Sequence, residues 1–166
     1  MNKIKTIHMS ITGMGLIFYS PFSTKDIKEG DDYLSSDFEN PEKVQEQAMS
    51  GRIVTINVGS PGEYVLNIYS GYPSEEFIKS RSLKFRLGIE IMDELLCVRD
   101  LFDLIDWEEE VAEEQVLRLS NGYYHMTFLS EVPDSGVHGD NQVIDLYLQK
   151  LNGMPKLRFK GVPMLF

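Results

Sequence analysis

Carboxylates are the side chains of this sequence whose types and spacing most clearly indicate chemistry. Between Glu90 and Glu114 there are eleven of them and one base, Arg99, so this stretch carries a charge of −10, equal to the net charge of the whole protein. A second stretch, from Asp26 to Glu46, has eight carboxylates and two lysines. Crowded charges of one sign attract cationic partners. They predict electrostatic recognition of a basic macromolecule, and the alternative is that they only keep a domain soluble.

Catalytic or metal chemistry has less support in the same residues. A glycosidase needs one carboxylic acid with a raised pKa and one ionised partner at a fixed separation, and eleven acids in one stretch do not single out two. Asp100, Asp103 and Asp106 recur every third residue, which is the spacing of a helix face and not of the alternating ligands in a calcium loop. The acids therefore predict no catalytic residue, no cofactor and no metal ion.

The histidines and the cysteine differ in what they indicate. His8 and His125 alternate with apolar residues, so we expect them on the polar face of a sheet. Cys97 lies among leucine and valine, which is typical of a small buried hydrophobe and not of a nucleophile. His138 lies in the loop 133–142, and an alternative ligand site would use the polar residues of this loop, Asp134, Ser135, His138 and Asp140. A turn built on glycines explains the loop more simply.

The elements that must position these residues are predicted to be strands. In 83–91 every second residue is apolar, which is the period of a strand with one buried face. The same period recurs at 7–11, 54–58, 64–68, 124–128 and 144–148. These ladders predict an all-β, mainly antiparallel β-sandwich of about seven to nine strands in a single domain, 1–166, with a partly closed barrel as the alternative.

Two short turns predict β-hairpins between consecutive strands, and a third predicts a reversal of the chain. Residues 60–63, with the sequence SPGE, fit a type II turn. Asn121-Gly122 is the strongest short hairpin signal in the chain. Residues 92–94 would return the strand 83–91 into the apolar segment that follows. The turns at 60–63 and Asn121-Gly122 are therefore expected to make consecutive strands hydrogen-bonded neighbours.

Two segments depart from the strand period. Over 100–107, apolar residues recur at helical spacing opposite Asp103 and Asp106, which predicts a short amphipathic helix whose apolar face holds Val98, Leu101, Phe102 and Ile105. Residues 24–50 are acidic and polar, and they predict a long excursion with one helix over 41–49.

Charge and hydropathy disfavour two kinds of partner. At a net charge of −10 the long-range field opposes nucleic acid, and the basic residues grouped at 79–86 and 150–160 more often neutralise a neighbouring acidic face. The sequence has no long apolar run and begins with alternating residues, so we expect neither a membrane span nor a secretory leader. The single cysteine agrees with a cytoplasmic location.

Two segments of the C-terminal half carry a resemblance to a known family. They are 117–128, LRLSNGYYHMTF, and 143–148, VIDLYL. They resemble the closing strands of ComJ, a family of small bacterial competence proteins that inhibit a DNA-entry nuclease, and the resemblance covers 78–150. It implies a β-sandwich-like binding protein, with toxin neutralisation as one role. An acidic insertion at 99–114 and the tail after Lys150 depart from the ComJ pattern, so no inhibitory residue is carried over.

Two shorter motifs resemble segments of a different group of proteins. CVRDLFDL at 97–104 and GDNQVI at 139–144 resemble segments of uncharacterised bacterial proteins, to which no activity is attached.

These observations predict a non-enzymatic acidic binding protein. Its partner would be a basic protein such as a nuclease-type toxin, neutralised by charge steering and occlusion of the basic cleft, as an immunity or inhibitor protein does. The residues expected to contact the partner are Asp100, Asp103, Asp106, Trp107, Glu108, Glu109 and Glu110. Trp107 would be an aromatic anchor or, alternatively, a core residue.

Two alternatives stay open beside that prediction. One is a small-molecule-binding or metal-binding sandwich, with enzyme activity, that uses the loop 133–142. The other is a structural subunit that forms a homo-oligomer through a sheet edge.

Overall fold

Two facing β-sheets make up the structure, which is a computed structural model that describes residues 2–157 and 163–166. Arg158 and Lys160, which belong to the second basic group of the sequence, lie outside the described residues. The strands are β1 (Asn2–Ile11), β2 (Gly15–Tyr19), β3 (Ile53–Asn57), β4 (Gly62–Ser70), β5 (Leu83–Ile91), β6 (Leu95–Asp100), β7 (Val116–Arg118), β8 (Gly122–Ser130) and β9 (Gln142–Leu151).

Short helices lie in the connections between strands. They are the α-helices α1 (Tyr33–Asp37), α2 (Pro41–Ser50) and α3 (Glu75–Ser80) and the 3₁₀ helices Pro21–Thr24, Leu101–Leu104 and Glu113–Gln115. Within the described ranges, no helix has the length and apolar character needed to cross a membrane.

The first sheet has the strand order β1-β4-β9-β8-β5, and the second has the order β3-β2-β6-β7. All neighbouring pairs are antiparallel except β4 and β9, which run parallel because the chain leaves β4 for the far edge of the sheet and returns to its centre. The predicted all-β, mainly antiparallel fold class is confirmed.

The two predicted hairpins are wrong for one common reason, and the turn at 92–94, which leads into β6 as predicted, also connects two sheets. Residues 60–63 join β3 to β4, residues 92–94 join β5 to β6, and Asn121-Gly122 joins β7 to β8, and in each case the two strands belong to different sheets. These turns carry the chain across the sandwich. Alternation identifies the buried face of a strand, but it does not identify the sheet to which the strand belongs.

The core between the sheets is formed by the alternating apolar residues. Phe18 from the second sheet and Phe128 from the first meet there, with ring centroids 5.3 Å apart in a T-shaped arrangement. Burial of one such side chain contributes about 1.5–3 kcal/mol. Strand β2 is buried on both faces, because Ile17 and Tyr19 point away from the core into a second, smaller apolar cluster. The connections over 20–52 and 101–115 cover that outer face.

The helix predicted over 41–49 is confirmed, and the one over 100–107 is corrected. Helix α2 begins at Pro41, where the Asn40 side chain accepts a hydrogen bond from the Lys43 amide, and it ends at Ser50, which is followed by Gly51 in the left-handed conformation. Strand β6 instead continues to Asp100, and a single 3₁₀ turn follows.

The 3₁₀ turn changes which residues of this segment are buried. Its period is three residues, so Leu101 and Leu104 face the small cluster, and Trp107, which lies beyond the turn, packs into the same cluster. Phe102 and Ile105, which the helical spacing assigned to the apolar face, are exposed.

Candidate protein-interaction surface

The two acidic stretches of the sequence lie side by side over the second sheet. The Gly30 amide donates a hydrogen bond to the Trp107 carbonyl (2.8 Å), and the Trp107 amide donates one to the Asp31 carbonyl (3.1 Å). The Glu109 amide also donates to a carboxylate oxygen of Glu29 (2.6 Å). Segments that are about 80 residues apart in sequence are therefore joined backbone to backbone.

We call the exposed carboxylates at this junction the acidic surface. Its members are Glu29, Asp31, Asp32, Asp106, Glu108, Glu109 and Glu110. The salt bridges of the described residues join Lys43 to Glu39, Arg99 to Asp103, and Arg118 to Glu94. None of these ion pairs involves the acidic surface, so its carboxylates keep their charge available for an external cation.

A buried arginine supports the acidic surface from below. Arg99 on β6 is 6% exposed, and its Nη1 donates to the Glu108 carbonyl (2.6 Å) while its Nε donates to Asp103 Oδ2 (2.9 Å). The guanidinium lies 4.4 Å from the ring centroid of Trp107, and Nη1 also lies 3.4 Å from the Tyr19 hydroxyl. These contacts fix the backbone that presents Glu108 and its neighbours.

The seven residues predicted to contact a partner have different positions. Asp106, Glu108, Glu109 and Glu110 are exposed on the acidic surface. Asp100 is half-buried and accepts hydrogen bonds from the backbone amides of residues 12, 13 and 102.

The other two of the seven have structural contacts. Asp103 is bonded to Arg99. Trp107 is 1% exposed, and its ring packs against that of Tyr19 in a T-shaped arrangement. It is a core residue, and its indole is not an exposed anchor.

Residues of the alternative loop site separate into two groups. Asp134, Ser135 and Asp140 line a cavity of about 480 Å³ at the end of the first sheet. His138 does not line this cavity, because its ring packs edge-on against Phe166. Among the residues that the structure describes, no group of three or more His, Cys, Asp or Glu side chains is arranged to hold a metal ion.

A buried carboxylate belongs to the same cavity. Asp145 on β9 is 5% exposed, and its Oδ1 accepts a hydrogen bond from the Asn67 side-chain amide (3.4 Å). Burial raises the pKa of this carboxyl above its usual value. Arg81, at the end of α3, also lines the cavity.

Cys97 and the two strand histidines have the positions that the alternation predicted. Cys97 is buried in the small cluster, and burial raises the pKa of its thiol to about 11, so it is protonated at neutral pH. His8 is exposed and His125 half-buried on the outer face of the first sheet, where Nδ1 of His125 lies 3.0 Å from the Tyr72 hydroxyl. Burial lowers the pKa of His125.

Comparison with solved structures identifies the fold that carries these features. The structure of ComJ, described as the inhibitor of the DNA-degrading activity of NucA from Bacillus subtilis, matches with a TM-score of 0.51 over 90% of this chain and 98% of ComJ. The sequence identity of that pair is 10%. The chain shares the ComJ fold. The family resemblance predicted from the sequence is thereby confirmed at the level of the fold.

A second solved structure is similar to this chain as well. It is described as crocagin biosynthetic gene J, and it matches with a TM-score of 0.55 at 12% identity, over 89% of this chain and 98% of the other. No protein family and no curated protein matches the sequence itself.

Sequence reasoning missed the contribution of Glu29, Asp31 and Asp32 to the acidic surface on this ComJ-like fold. The acid content of the segment 26–46 was the one sign of this contribution in the sequence, but composition does not show which distant segment the residues 26–46 contact. The contact is made by two backbone hydrogen bonds to residue 107 and by the Glu29 carboxylate, which accepts a hydrogen bond from the Glu109 amide. Neither kind of bond identifies its distant partner in the sequence.

Proposed function

We propose that this protein is a non-enzymatic inhibitor or immunity protein that binds a basic, nuclease-type protein through the acidic surface. The observation that carries the proposal is the junction of the two acidic stretches by the hydrogen bonds between residues 29–31 and 107–109. The fold likeness to ComJ, an inhibitor of a DNA-degrading protein, supports the same class of function.

The proposed mechanism has a steering step and an occlusion step. Exposed carboxylates with no cationic partner in the described part of the chain draw a basic partner in, and such steering raises association rates from roughly 10⁵–10⁶ to as much as about 10⁸–10⁹ M⁻¹s⁻¹ at low salt. A nuclease cleft binds phosphates through cations. Carboxylates held in place by Arg99 and by backbone hydrogen bonds would occupy that cleft and exclude DNA.

The test is inhibition of a NucA-type nuclease with DNA as a competitor. The protein should stop DNA degradation at stoichiometric amounts, and excess DNA should slow formation of the complex, because both ligands use the same cleft. An inhibitor that binds the nuclease equally fast with and without DNA would contradict occlusion.

The cavity that Asp134, Ser135 and Asp140 line with Asp145 favours a second candidate function, binding of a small molecule. Acids outnumber bases around it, so the matching ligand is a small amine. Spermidine should raise the melting temperature of the wild type but not that of Asp140→Asn, with Glu108→Gln as the control for binding at the acidic surface. Equal stabilisation of wild type and Asp140→Asn would count against this candidate.

A further inference from the structure

A separate cavity opens under the excursion that carries the first acidic stretch. It has a volume of about 350 Å³ and lies between the 3₁₀ helix Pro21–Thr24, helices α1 and α2, and the start of β3. The same excursion contributes Glu29, Asp31 and Asp32 to the acidic surface. Tyr33, which lines the cavity, directly follows Asp32 of the acidic surface in the chain.

Two carboxylates at this cavity are available to an external cation. Asp26 and Glu46 line it, both are exposed, and neither lies within 4.0 Å of a basic nitrogen of the described residues. Arg52 lines the same cavity, but its guanidinium lies over the Phe22 ring, 5.7 Å from the centroid. The negative charge of the cavity thus exceeds the positive charge by one unit.

An unsatisfied hydroxyl marks the inner part of the cavity. Ser23 lines the cavity and is 8% exposed, and its Oγ is buried without a hydrogen-bond partner among the described residues. Buried polar groups in native proteins are nearly always hydrogen-bonded to protein, water or a ligand, so this oxygen is available to a donor that a ligand in the cavity supplies.

The remaining walls fit the stem of a long side chain. Ile27 and Ile53 are buried apolar residues of the lining, and the Tyr33 ring beside them has its hydroxyl held by the Gln47 side-chain amide (3.3 Å). An aliphatic stem can lie along these residues while its charged head reaches the carboxylates.

We propose that this cavity receives an arginine side chain of the basic partner. Arginine is favoured over lysine because its planar guanidinium has five donors, enough for Asp26, Glu46 and the Ser23 hydroxyl together. This inference rests on the proposed function for the identity of the partner, but the chemistry of the cavity is tested without any partner.

The direct test uses Nα-acetyl-arginine amide and its neutral isostere, Nα-acetyl-citrulline amide, titrated into the protein and followed by amide NMR shifts. The arginine probe should shift the amides of Ser23, Gln47 and Arg52, and the citrulline probe should bind about tenfold more weakly, as expected for loss of a charge-assisted hydrogen bond. Equal binding of the two probes, or shifts confined to residues 106–110, would overturn the proposal.

Variants separate the arginine pocket from a general acidic attraction. Glu46→Gln should weaken the arginine probe about tenfold, whereas Glu42→Gln, one turn earlier on α2 and outside the cavity, should change it by less than about twofold. Ser23→Ala should weaken binding of the arginine probe, although the hydroxyl has no hydrogen-bond partner among the described residues. Arg52→Gln should strengthen binding of the arginine probe, because a like charge is removed, and weaker binding to this variant would contradict the electrostatic account of the pocket.

The failure of this inference differs from the failure of the proposed function. If Glu46→Gln leaves the dissociation rate of the nuclease complex unchanged while acidic-surface variants slow association, the pocket is refuted and the inhibitor role stands. If the arginine probe binds as described and no basic nuclease is bound, the inhibitor role is refuted and the pocket stands.

Discussion

Replacement of Arg99 by methionine should destabilise the protein and loosen the acidic surface. Methionine keeps the apolar contact of the stem, so the change removes mainly the guanidinium and its bonds to Asp103, the Glu108 carbonyl and the Tyr19 hydroxyl. Loss of one partner of a buried pair costs about 3–5 kcal/mol. Asp103 is 39% exposed and regains water in the variant, so we expect a lower cost, about 2–4 kcal/mol.

The assay is equilibrium unfolding in urea, with the free energy of unfolding extrapolated to water. Arg118→Met is the matched control, because Arg118 is an exposed arginine 3.8 Å from Glu94 and its loss should cost less than about 0.5 kcal/mol. Asp103→Asn should cost less than Arg99→Met, since the bonds to Glu108 and the contact with Trp107 remain. A cost for Arg99→Met no greater than for Arg118→Met would refute the supporting role of Arg99.

Three further predictions concern buried side chains. Trp107 is the one tryptophan of the sequence, so the native tryptophan fluorescence should be blue-shifted and resistant to quenching by iodide. Trp107→Ala should lower the free energy of unfolding by about 3–5 kcal/mol. An emission maximum typical of exposed indole would contradict its burial. Cys97 should not react with a thiol reagent at pH 7 until the protein unfolds, because its thiol is buried with a pKa of about 11, and labelling of the native protein within seconds would contradict this. Burial raises the pKa of Asp145 in the folded state, so the contribution of this carboxyl to stability is greatest below its ordinary pKa of 3.8 and is lost as the pH rises. The free energy of unfolding of Asp145→Asn should therefore increase relative to that of wild type between pH 3 and 7. A difference between the two proteins that does not change with pH would contradict the raised pKa.

The buried faces of the strands could be predicted from the sequence, but their pairing could not. The alternation in β5 and β8 correctly places Leu87 and Met126 in the core. The turn at Asn121-Gly122 has ideal hairpin residues, and yet it connects two sheets. Asp93 and Glu94, with φ of 59° and 54°, similarly turn the chain toward the opposite sheet. Tertiary packing decides between the two uses of a tight turn, and local residue preference is the same for both.

In the candidate site, too, the exposure of single residues could be predicted from their neighbours in sequence, but contacts between distant segments could not. Exposure of Asp106 and Glu108 follows from local polarity, and the sequence predicted these two residues for the interaction. The roles of Asp103 and Trp107 depend on Arg99, whose contacts form only after β6 and the following turn pack on the second sheet. Adjacency of residues 29–31 to residues 107–109 depends on two backbone hydrogen bonds to Trp107 and on one bond from the Glu109 amide to the Glu29 carboxylate, and the residue types do not show which distant segment each of these groups meets.

The central claim, that the acidic surface steers a basic nuclease, is tested most directly by the association rate of the NucA-type nuclease at several salt concentrations. The variant Glu108→Gln/Glu110→Gln is compared with Glu75→Gln/Glu76→Gln, which changes the net charge equally but lies on α3, on the outer side of the first sheet. The acidic-surface variant should associate more slowly and with a weaker salt dependence than wild type, and the control should associate as wild type does. Equal rates and equal salt dependence for the two variants would contradict the claim.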